Sequence, residues 1–205
     1  GMGIIVLYIA LLPALGVNAF QLYKAESPGL TVDRVEPRIK ETAKKLWMIY
    51  FLFSALETAL LMRGGMPLFD SLCHTFGTMA TGGFSTQNAS IGAYDAYTQW
   101  VVITFMFLAG INFILHYQLM RGRYKALVFS EEFKLYCVLI LVFIPSVAFV
   151  LKFSGTSLSP LRDGAFQVIS ILTTTGYTTA NFDAWPHSLR SEEHTSELQS
   201  PDHLV

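Results

Sequence analysis

Long apolar stretches alternate with short charged segments along this chain of 205 residues. Four stretches contain almost no Asp, Glu, Lys or Arg, and each approaches the roughly 20 residues that a helix needs to cross the hydrocarbon core of a bilayer. They cover 2–23, 46–62, 98–120 and 135–151, and Glu57 is the one charged residue within them. The pattern predicts four membrane-spanning helices.

Two shorter apolar stretches follow the second and the fourth predicted span. They cover 67–80 and 160–173, and both begin with Pro-Leu and continue to an Asp. A helix rises about 1.5 Å per residue, so either stretch would reach roughly 21 Å, which is too little to span a bilayer. We expect half-helices that enter the membrane and turn back within it.

The two half-helices begin a block that occurs twice. Residues 67–88 align without a gap to residues 160–181, 93 positions further on, with seven identical pairs. An internal repeat indicates that one structural unit is built more than once. Each copy ends in the same pattern, at 81–85 and 174–178: Thr, any residue, Gly, an aromatic residue, then Ser or Thr. A half-helix that runs into such a turn is the layout of a pore helix and a selectivity filter.

These two turns have the residue types that a filter for a monovalent cation requires. An ion that loses its water needs oxygen ligands, and successive backbone carbonyls supply them without burying a charge. Gly83 and Gly176 readily adopt the backbone angles for this, and the rings of Phe84 and Tyr177 can pack outward as struts. The C-terminal carbonyls of each half-helix add a partial negative charge that favours a cation. The candidate ion-binding residues are Thr81, Gly82, Gly83, Phe84, Thr174, Thr175, Gly176 and Tyr177.

Composition and charge place these turns in a membrane and on one side of it. The chain is 52% hydrophobic and 14% charged, with a mean hydropathy of +0.44, which is high for a soluble domain. Basic residues gather in 24–45 and 121–134, and by the positive-inside rule both segments face the cytoplasm. Both repeated blocks then lie on the opposite side, so each half-helix enters from outside. The basic residues are Lys24, Arg34, Arg38, Lys40, Lys44 and Lys45 in the first segment, and Arg121, Arg123, Lys125 and Lys134 in the second.

The sequence around the turns resembles that of a known family. TGGFS at 81–85 and TTGYT at 174–178 look like degenerate versions of the potassium-channel filter TVGYG. The wider segments ATGGFST, LAGINFILH and TTTGYTTANFDAWP resemble the Trk/Ktr/HKT superfamily of potassium transporters, most closely its bacterial TrkH-type subunits. The similarity covers essentially all of residues 1–189. It implies a multi-pass protein of the bacterial inner (plasma) membrane that conducts potassium through backbone carbonyls.

The resemblance also implies an architecture: an all-α membrane protein with four span, pore-helix, span repeats arranged with pseudo-fourfold symmetry around one pore. This chain would then lack two of the four filters and could not close a pore by itself. By this template the segments are 1–23, the inner span of repeat one; 24–45, a cytoplasmic loop; 46–120, all of repeat two, with pore helix 67–80 and filter 81–85; 121–134, a second cytoplasmic loop; and 135–189, the first span, pore helix and filter (174–178) of repeat three.

Partners are likewise implied by the resemblance. The full-length chain is expected to form a homodimer in membrane lipid and to dock a cytoplasmic nucleotide-binding regulatory subunit of the TrkA type. A nucleotide would then act through that partner alone, and no covalently bound cofactor is expected. Potassium is the transported ion, held at filter carbonyls and at no other metal site, and nucleic acid is not an expected partner.

Three carboxylates outside the turns allow two interpretations each. Asp70 and Asp163 lie near the starts of the half-helices, where a carboxylate complements the positive end of the helix dipole and can cap free N–H groups, or can attract cations to the outer mouth. Glu57 lies inside a predicted span, where an ionisable residue is a candidate functional group. Because it lies only about six residues from the outer end of the span, we expect an interfacial or hydrogen-bonded carboxylate rather than a relay.

A second group of polar residues lies in the third predicted span. Asn112 and His116 are four residues apart, hence on one face of a helix, and follow Gly110. Such groups tie membrane helices together more often than they touch an ion, and a glycine permits close approach, so helix packing is the favoured interpretation.

Two other classes of function remain open alternatives. An intramembrane hydrolase could recruit Asp70, His74, Asp163 or His116, but no paired catalytic motif is visible and the duplicated turn would have no purpose, so an enzyme is not expected. A scaffold or sensor that retains the fold without conducting is the other alternative.

The last residues, 190–205, break from the preceding composition. Their first part reads RSEEHTSELQS, which one frame of a common sequencing adapter encodes. We therefore expect an assembly artefact there rather than a genuine polar tail.

Overall fold

The structure, a computed structural model, describes residues 36–122, 124–155 and 157–179, and within these ranges every regular element is a helix. The predicted first span (1–23) and the adapter-like segment (190–205) lie outside the described residues. The all-α class is confirmed. The elements are α1 (Glu36–Arg63), α2 (Leu68–Met79), a short 3₁₀ helix (Ser90–Ala93), α3 (Ala96–Ala109), α4 (Phe113–Met120), α5 (Tyr124–Phe129), α6 (Glu131–Ser154) and α7 (Pro160–Leu172).

In the described part of the chain, two helical segments are long and apolar enough to cross a membrane: residues 45–63 of α1 and all of α6. Helix α1 starts at Glu36, so the segment expected as a cytoplasmic loop over 24–45 is already helical in its last part. Helix α6 starts after Ser130, whose hydroxyl accepts a hydrogen bond from the N–H of Phe133, and it ends at Gly155 in a left-handed conformation. Both ends follow the usual chemistry of helix caps.

The third predicted span is not one straight helix. Helices α3 and α4 meet at a bend of 93°, at a break over 110–112. The side chain of Asn112 accepts a hydrogen bond from the N–H of Ile114 at 3.0 Å and thereby starts a new helix. Apolar residues continue on both sides of the break, so the sequence pattern predicts one span over residues 98–120 although they contain Gly110 and Asn112.

The two short helices α2 and α7 lie inside the predicted half-helices. Helix α7 begins at Pro160, which suits a first turn where no N–H is needed. Both helices end in the same way, at Ala80 and Thr173, with nearly identical backbone angles. The repeat in sequence is therefore a repeat in structure.

Helix α3 is the centre of the packing. It lies against α1 and α2 of the first repeated unit and against α7 of the second. Its buried residues include Val102 and Met106, and Phe166 of α7 is buried as well. Helix α6 packs mainly on α7 and leaves much apolar surface exposed, with Leu141 71% and Phe153 75% accessible. Because α3 contacts both short helices, it fixes the two turns that follow them relative to each other.

Candidate functional site

The two predicted filters have the same backbone conformation. Thr81 and Gly83 have φ angles of 52° and 65°, and their counterparts Thr174 and Gly176 have 56° and 86°. Glycine adopts this left-handed region freely, whereas a threonine there stores roughly 1–3 kcal/mol of strain that the surroundings must hold. The strained threonines recur at the same place in both copies, so the turn geometry is a property of the repeated unit.

Hydrogen bonds to the half-helices set the direction of the first turn's carbonyls. The carbonyl oxygen of Gly77 in α2 accepts hydrogen bonds from the N–H groups of Gly82 at 2.7 Å and Gly83 at 3.3 Å. In a trans peptide the C=O points opposite to the N–H. The carbonyls of Thr81 and Gly82 therefore point away from α2.

The second turn repeats this arrangement. The carbonyl oxygen of Ser170 in α7 accepts from the N–H groups of Thr175 at 2.9 Å and Gly176 at 3.4 Å. By the same geometry, the carbonyls of Thr174 and Thr175 point away from α7. Each turn thus presents at least two consecutive carbonyl oxygens on its open side.

The two turns are in direct contact. A Cβ atom on Gly83 would overlap the carbonyl oxygen of Thr175 and lie 3.1 Å from the carbonyl carbon of Gly176. Beyond the turns, the N–H of Gly92 in the 3₁₀ helix donates to the carbonyl of Thr178 at 3.2 Å. Residues far apart in sequence thus lie side by side with their carbonyls on a shared surface. Oxygen atoms in this arrangement can bind a dehydrated cation without any charged side chain.

The aromatic residues of the two turns differ in their surroundings. Tyr177 is fully buried, and its single hydroxyl proton is shared between the carbonyls of His74 at 3.0 Å and Phe84 at 3.3 Å, both in the first unit. The ring of Phe84 is 82% exposed. Tyr177 therefore packs as a strut between the two units, whereas Phe84 packs against little within the described part of the chain.

His74 supports the first turn from behind. The ring is fully buried; its Nδ1 lies 2.7 Å from the carbonyl oxygen of Asp70, and its Nε2 lies 3.0 Å from the hydroxyl of Ser85. A carbonyl can only accept, so Nδ1 carries a proton. The Ser85 hydroxyl also accepts from the N–H of Gln87 at 3.1 Å. Sequence reasoning considered His74 only as a catalytic candidate and missed this supporting role.

The two aspartates lie in the first turns of α2 and α7, but neither caps its helix. Within the described residues, no helix N–H donates to either carboxylate. The Ser157 hydroxyl donates to Asp163, whose other oxygen lies 3.6 Å from Nε of Arg162. The capping part of the prediction is therefore wrong, because Pro67 and Ser159 occupy the cap positions. What remains is a negative charge near each helix start.

Gly110, Asn112 and His116 all act at the break between α3 and α4. A Cβ on Gly110 would lie 2.7 Å from Cγ2 of Thr173, the residue just before the second turn. Nε2 of His116 lies 2.9 Å from the carbonyl oxygen of Leu108, across the break. These polar groups therefore hold the bend, which contacts the residue just before the second turn.

The interfacial part of the interpretation of Glu57 is wrong, because its side chain is fully buried. The Thr78 hydroxyl lies beside the carboxyl group, but it donates to the carbonyl of His74 at 2.8 Å, so neither carboxyl oxygen has a well-aligned hydrogen bond among the described residues. The side chain is buried because α2 folds back along α1, as the 3.0 Å hydrogen bond between the hydroxyls of Thr58 and Thr75 shows. The position of Glu57 along the predicted span could not reveal that α2 packs over it.

Within the described residues, no cluster of His, Cys, Asp and Glu side chains could hold a metal ion. The oxygen-rich surface in this part of the chain is the pair of carbonyl-lined turns.

Comparison with known proteins gives one consistent family. A sequence model of the family TrkH, described as cation transport protein, matches residues 1–159. The Trk system potassium uptake protein TrkH of Salmonella typhimurium (strain LT2) is 42% identical over 192 residues, which cover 91% of this chain and 40% of that protein. The Trk system potassium uptake protein TrkG of Escherichia coli (strain K12) is 34% identical over 191 residues, covering 91% of this chain and 39% of that protein.

A solved structure agrees with the sequence matches. The crystal structure of the potassium transporter TrkH from Vibrio parahaemolyticus superposes with a TM-score of 0.72 at 32% sequence identity, covering 90% of this chain and 38% of that chain. The chain thus spans about 40% of the length of the curated relatives that it matches.

Proposed function

The chain belongs to the TrkH family of cation transport proteins, and from this premise we propose that it forms part of the pore of a bacterial potassium uptake system. The observation that carries the proposal is the contact between two turns of equal backbone geometry, at Gly83 and Thr175. Their outward carbonyls offer the ligands that replace the water of a potassium ion. The proposed transport is passive permeation down the electrochemical gradient.

The rest of each unit supports this role electrostatically. Helices α2 and α7 both end at the turns, and the C-terminal end of a helix carries a partial negative charge. Such a charge favours a cation and needs no ionised side chain in the membrane. Together with the carbonyls, it gives the site a preference for cations without trapping them tightly.

A complete pore requires more chain than these residues. Two turns cannot surround an ion, and we propose that further repeats of the full-length protein complete the ring. Two exposed features support this: within the described residues nothing lies within 4 Å of the position of a Cβ on Gly176, and the ring of Phe84 is 82% exposed. These mark the two edges at which neighbouring repeats would join.

The partners follow from the same proposal. The apolar surface of α6 supports contact with lipid, and the basic residues of 121–134 support a cytoplasmic position for this segment, which contains α5. We propose that the full-length chain forms a homodimer in the inner membrane and that a nucleotide-binding regulatory subunit docks on its cytoplasmic face.

Rescue of a potassium-uptake-deficient bacterium on low-potassium medium tests the transport proposal, with the full-length protein expressed. The unmodified protein should restore growth, and Gly83→Ala should abolish the rescue because its Cβ overlaps the neighbouring turn. The matched control is Gly65→Ala, which also replaces a glycine of positive φ (87°) but meets nothing within 4 Å. Equal growth of the Gly83 variant, or no rescue by a well-expressed unmodified protein, would contradict transport through these turns.

A further inference from the structure

The carbonyls of Phe84 and Tyr177 occupy equivalent places in the two turns, and each accepts a hydrogen bond from a hydroxyl. In the second unit the donor is local: Ser170 of α7 donates to the carbonyl of Tyr177 at 2.8 Å, in a fully buried contact. In the first unit the donor comes from the other unit: the single proton of the Tyr177 hydroxyl is shared between the carbonyl of Phe84 at 3.3 Å and that of His74 at 3.0 Å. The same task is thus done by two different side chains.

Gly77 explains why the donor changes. It occupies the position in α2 that Ser170 occupies in α7, so the first unit has no local hydroxyl to offer. A Cβ on Gly77 would overlap the Tyr177 hydroxyl and lie 3.1 Å from the Phe84 carbonyl oxygen. Glycine within a helix destabilises it relative to alanine, and Gly77 does not have the positive φ that would require a glycine. The space left by the missing side chain is the space that the tyrosine hydroxyl fills.

We propose that Gly77 and Tyr177 form a positioning pair that sets the direction of the Phe84 carbonyl and so joins the two filters into one unit. The proposal rests on the proposed function, since the filter it positions is the one assigned above to potassium. Tyr177 acts here through Phe84 and through the close fit to α2. The two hydrogen bonds act in series. The Ser170 hydroxyl holds the carbonyl of Tyr177, and the Tyr177 hydroxyl in turn holds the carbonyl of Phe84.

The pair predicts a compensating double substitution. Gly77→Ser introduces a side chain that collides with the tyrosine hydroxyl, and Tyr177→Phe removes the donor to the Phe84 carbonyl. Combined, the serine meets no hydroxyl and can donate to Phe84 from within its own unit, as Ser170 does in the second unit. Residues in contact show such non-additive effects, and a double-mutant cycle measures them.

The test measures uptake of potassium or rubidium in competition with sodium, with the full-length protein in vesicles. Each single substitution should lower the potassium-to-sodium preference by about tenfold, the factor expected when a typical buried hydrogen bond is lost. The double variant should recover to within about threefold of the unmodified protein. A double variant as impaired as the product of the two single effects would overturn the proposal.

Tyr94→Phe is the matched control. The Tyr94 hydroxyl is buried without a hydrogen-bond partner among the described residues, and its ring lies 5.3 Å from that of His74 in the same neighbourhood. Removing this hydroxyl should leave ion preference unchanged. An equal loss of preference in this variant would show that any buried hydroxyl matters here, and would overturn the specific role of Tyr177.

A thermal-unfolding cycle on the same four proteins separates this proposal from the proposed function. The two single variants should unfold at lower temperature, and the double variant should regain most of the difference. If the unmodified protein did not transport potassium, the proposed function would fail. The unfolding temperatures would still show whether Gly77 and Tyr177 are energetically coupled. Strictly additive losses in unfolding temperature would refute the pair whatever the transport result.

Discussion

The two filter units share one backbone but differ in how they are held. Both turns begin with a strained threonine, and both direct two N–H groups to the carbonyl of the preceding half-helix. The second unit extends a side chain into the first unit, because Tyr177 is buried against α2. The first unit receives that side chain, and its own aromatic ring, Phe84, lies open.

The comparison indicates that the side chains of a repeated unit can differ while its backbone conformation stays the same. The backbone conformation is fixed by small residues and by hydrogen bonds inside each unit, so it survives in both copies. The side chains differ because each unit packs against a different neighbour. A buried tyrosine in one copy and an exposed phenylalanine in the other show that only one of the two equivalent contacts is made within the described residues.

Gly176→Ala is expected to have the largest effect on potassium uptake among the substitutions that distinguish the two units. Within the described residues its Cβ meets nothing, whereas that of Gly83 overlaps Thr175. If another repeat covers Gly176 in the full-length protein, the substitution should lower potassium uptake by on the order of a hundredfold, as expected when a positioned site shifts by about 1 Å. Uptake by vesicles containing the purified protein measures this.

A mild loss for Gly176→Ala, beside a severe one for Gly83→Ala, would contradict a closed ring of filters. The control is Gly122→Ala, which also replaces an open glycine of positive φ (72°), in the basic segment 121–134. It separates backbone strain from the loss of contact in the filter.

Glu57→Leu gives an intermediate effect and tests the helices that precede the half-helices. Helix α1 buries a carboxyl group that has no well-aligned hydrogen bond among the described residues, whereas the residue 93 positions further on, in α6, is the apolar Val150. A buried polar group without a hydrogen bond destabilises the fold by about 1–3 kcal/mol, so the leucine should stabilise the protein by a similar amount. Thermal unfolding in detergent measures the change.

Glu57→Gln provides the comparison, since it retains a polar group of the same shape and should gain little. A clear loss of stability in the leucine variant would mean that the carboxyl group has a favourable interaction. The charged or polar residue of the first unit would then contribute to the free energy of unfolding in a way that the apolar residue of the second unit does not.

Asp95→Ala gives the smallest effect and concerns the helix that leaves the first unit. The Asp95 carboxylate caps α3 and accepts from the N–H of Thr98 at 3.0 Å. The Thr98 hydroxyl and then its N–H hold the pKa of Asp95 below its ordinary value of 3.8. Since the folded-state pKa is depressed, the stabilisation is present above that value and is lost as the pH falls through the folded pKa.

We expect the alanine variant to lose about 0.5 kcal/mol near neutral pH, the low end for helix caps, because the carboxylate is exposed and screened. Its unfolding temperature should approach that of the unmodified protein as the pH falls below about 3.8. An equal difference at all pH values would mean that the charge of Asp95 plays no part in the cap.

Much of the fold and of the site could be predicted from the repeat. The spacing of Gly83 and Gly176 within two alignable blocks predicted equal turns, and the short apolar stretches before them predicted the half-helices. Local chemistry is sufficient for these features, because glycine, threonine and a short helix determine the turn by themselves.

The features that sequence could not reveal depend on contacts between units. The bend after Gly110 has apolar residues on both sides, and the burial of Glu57 depends on α2 folding back over α1. The acceptor of the Tyr177 hydroxyl lies in the other unit, 93 residues away along the chain. Asn112 was the one local signal for the bend, since this residue type favours the start of a helix.

The turns already touch at Gly83, so they can move apart but cannot approach each other more closely. Main-chain atoms set this limit, and close-packed atoms yield far less to compression than flexible side chains do. Thermal motion can loosen the turns, yet it cannot draw their oxygens closer together. The spacing of the two turns at this point therefore has a lower limit, which is set by contact between atoms of the peptide backbone.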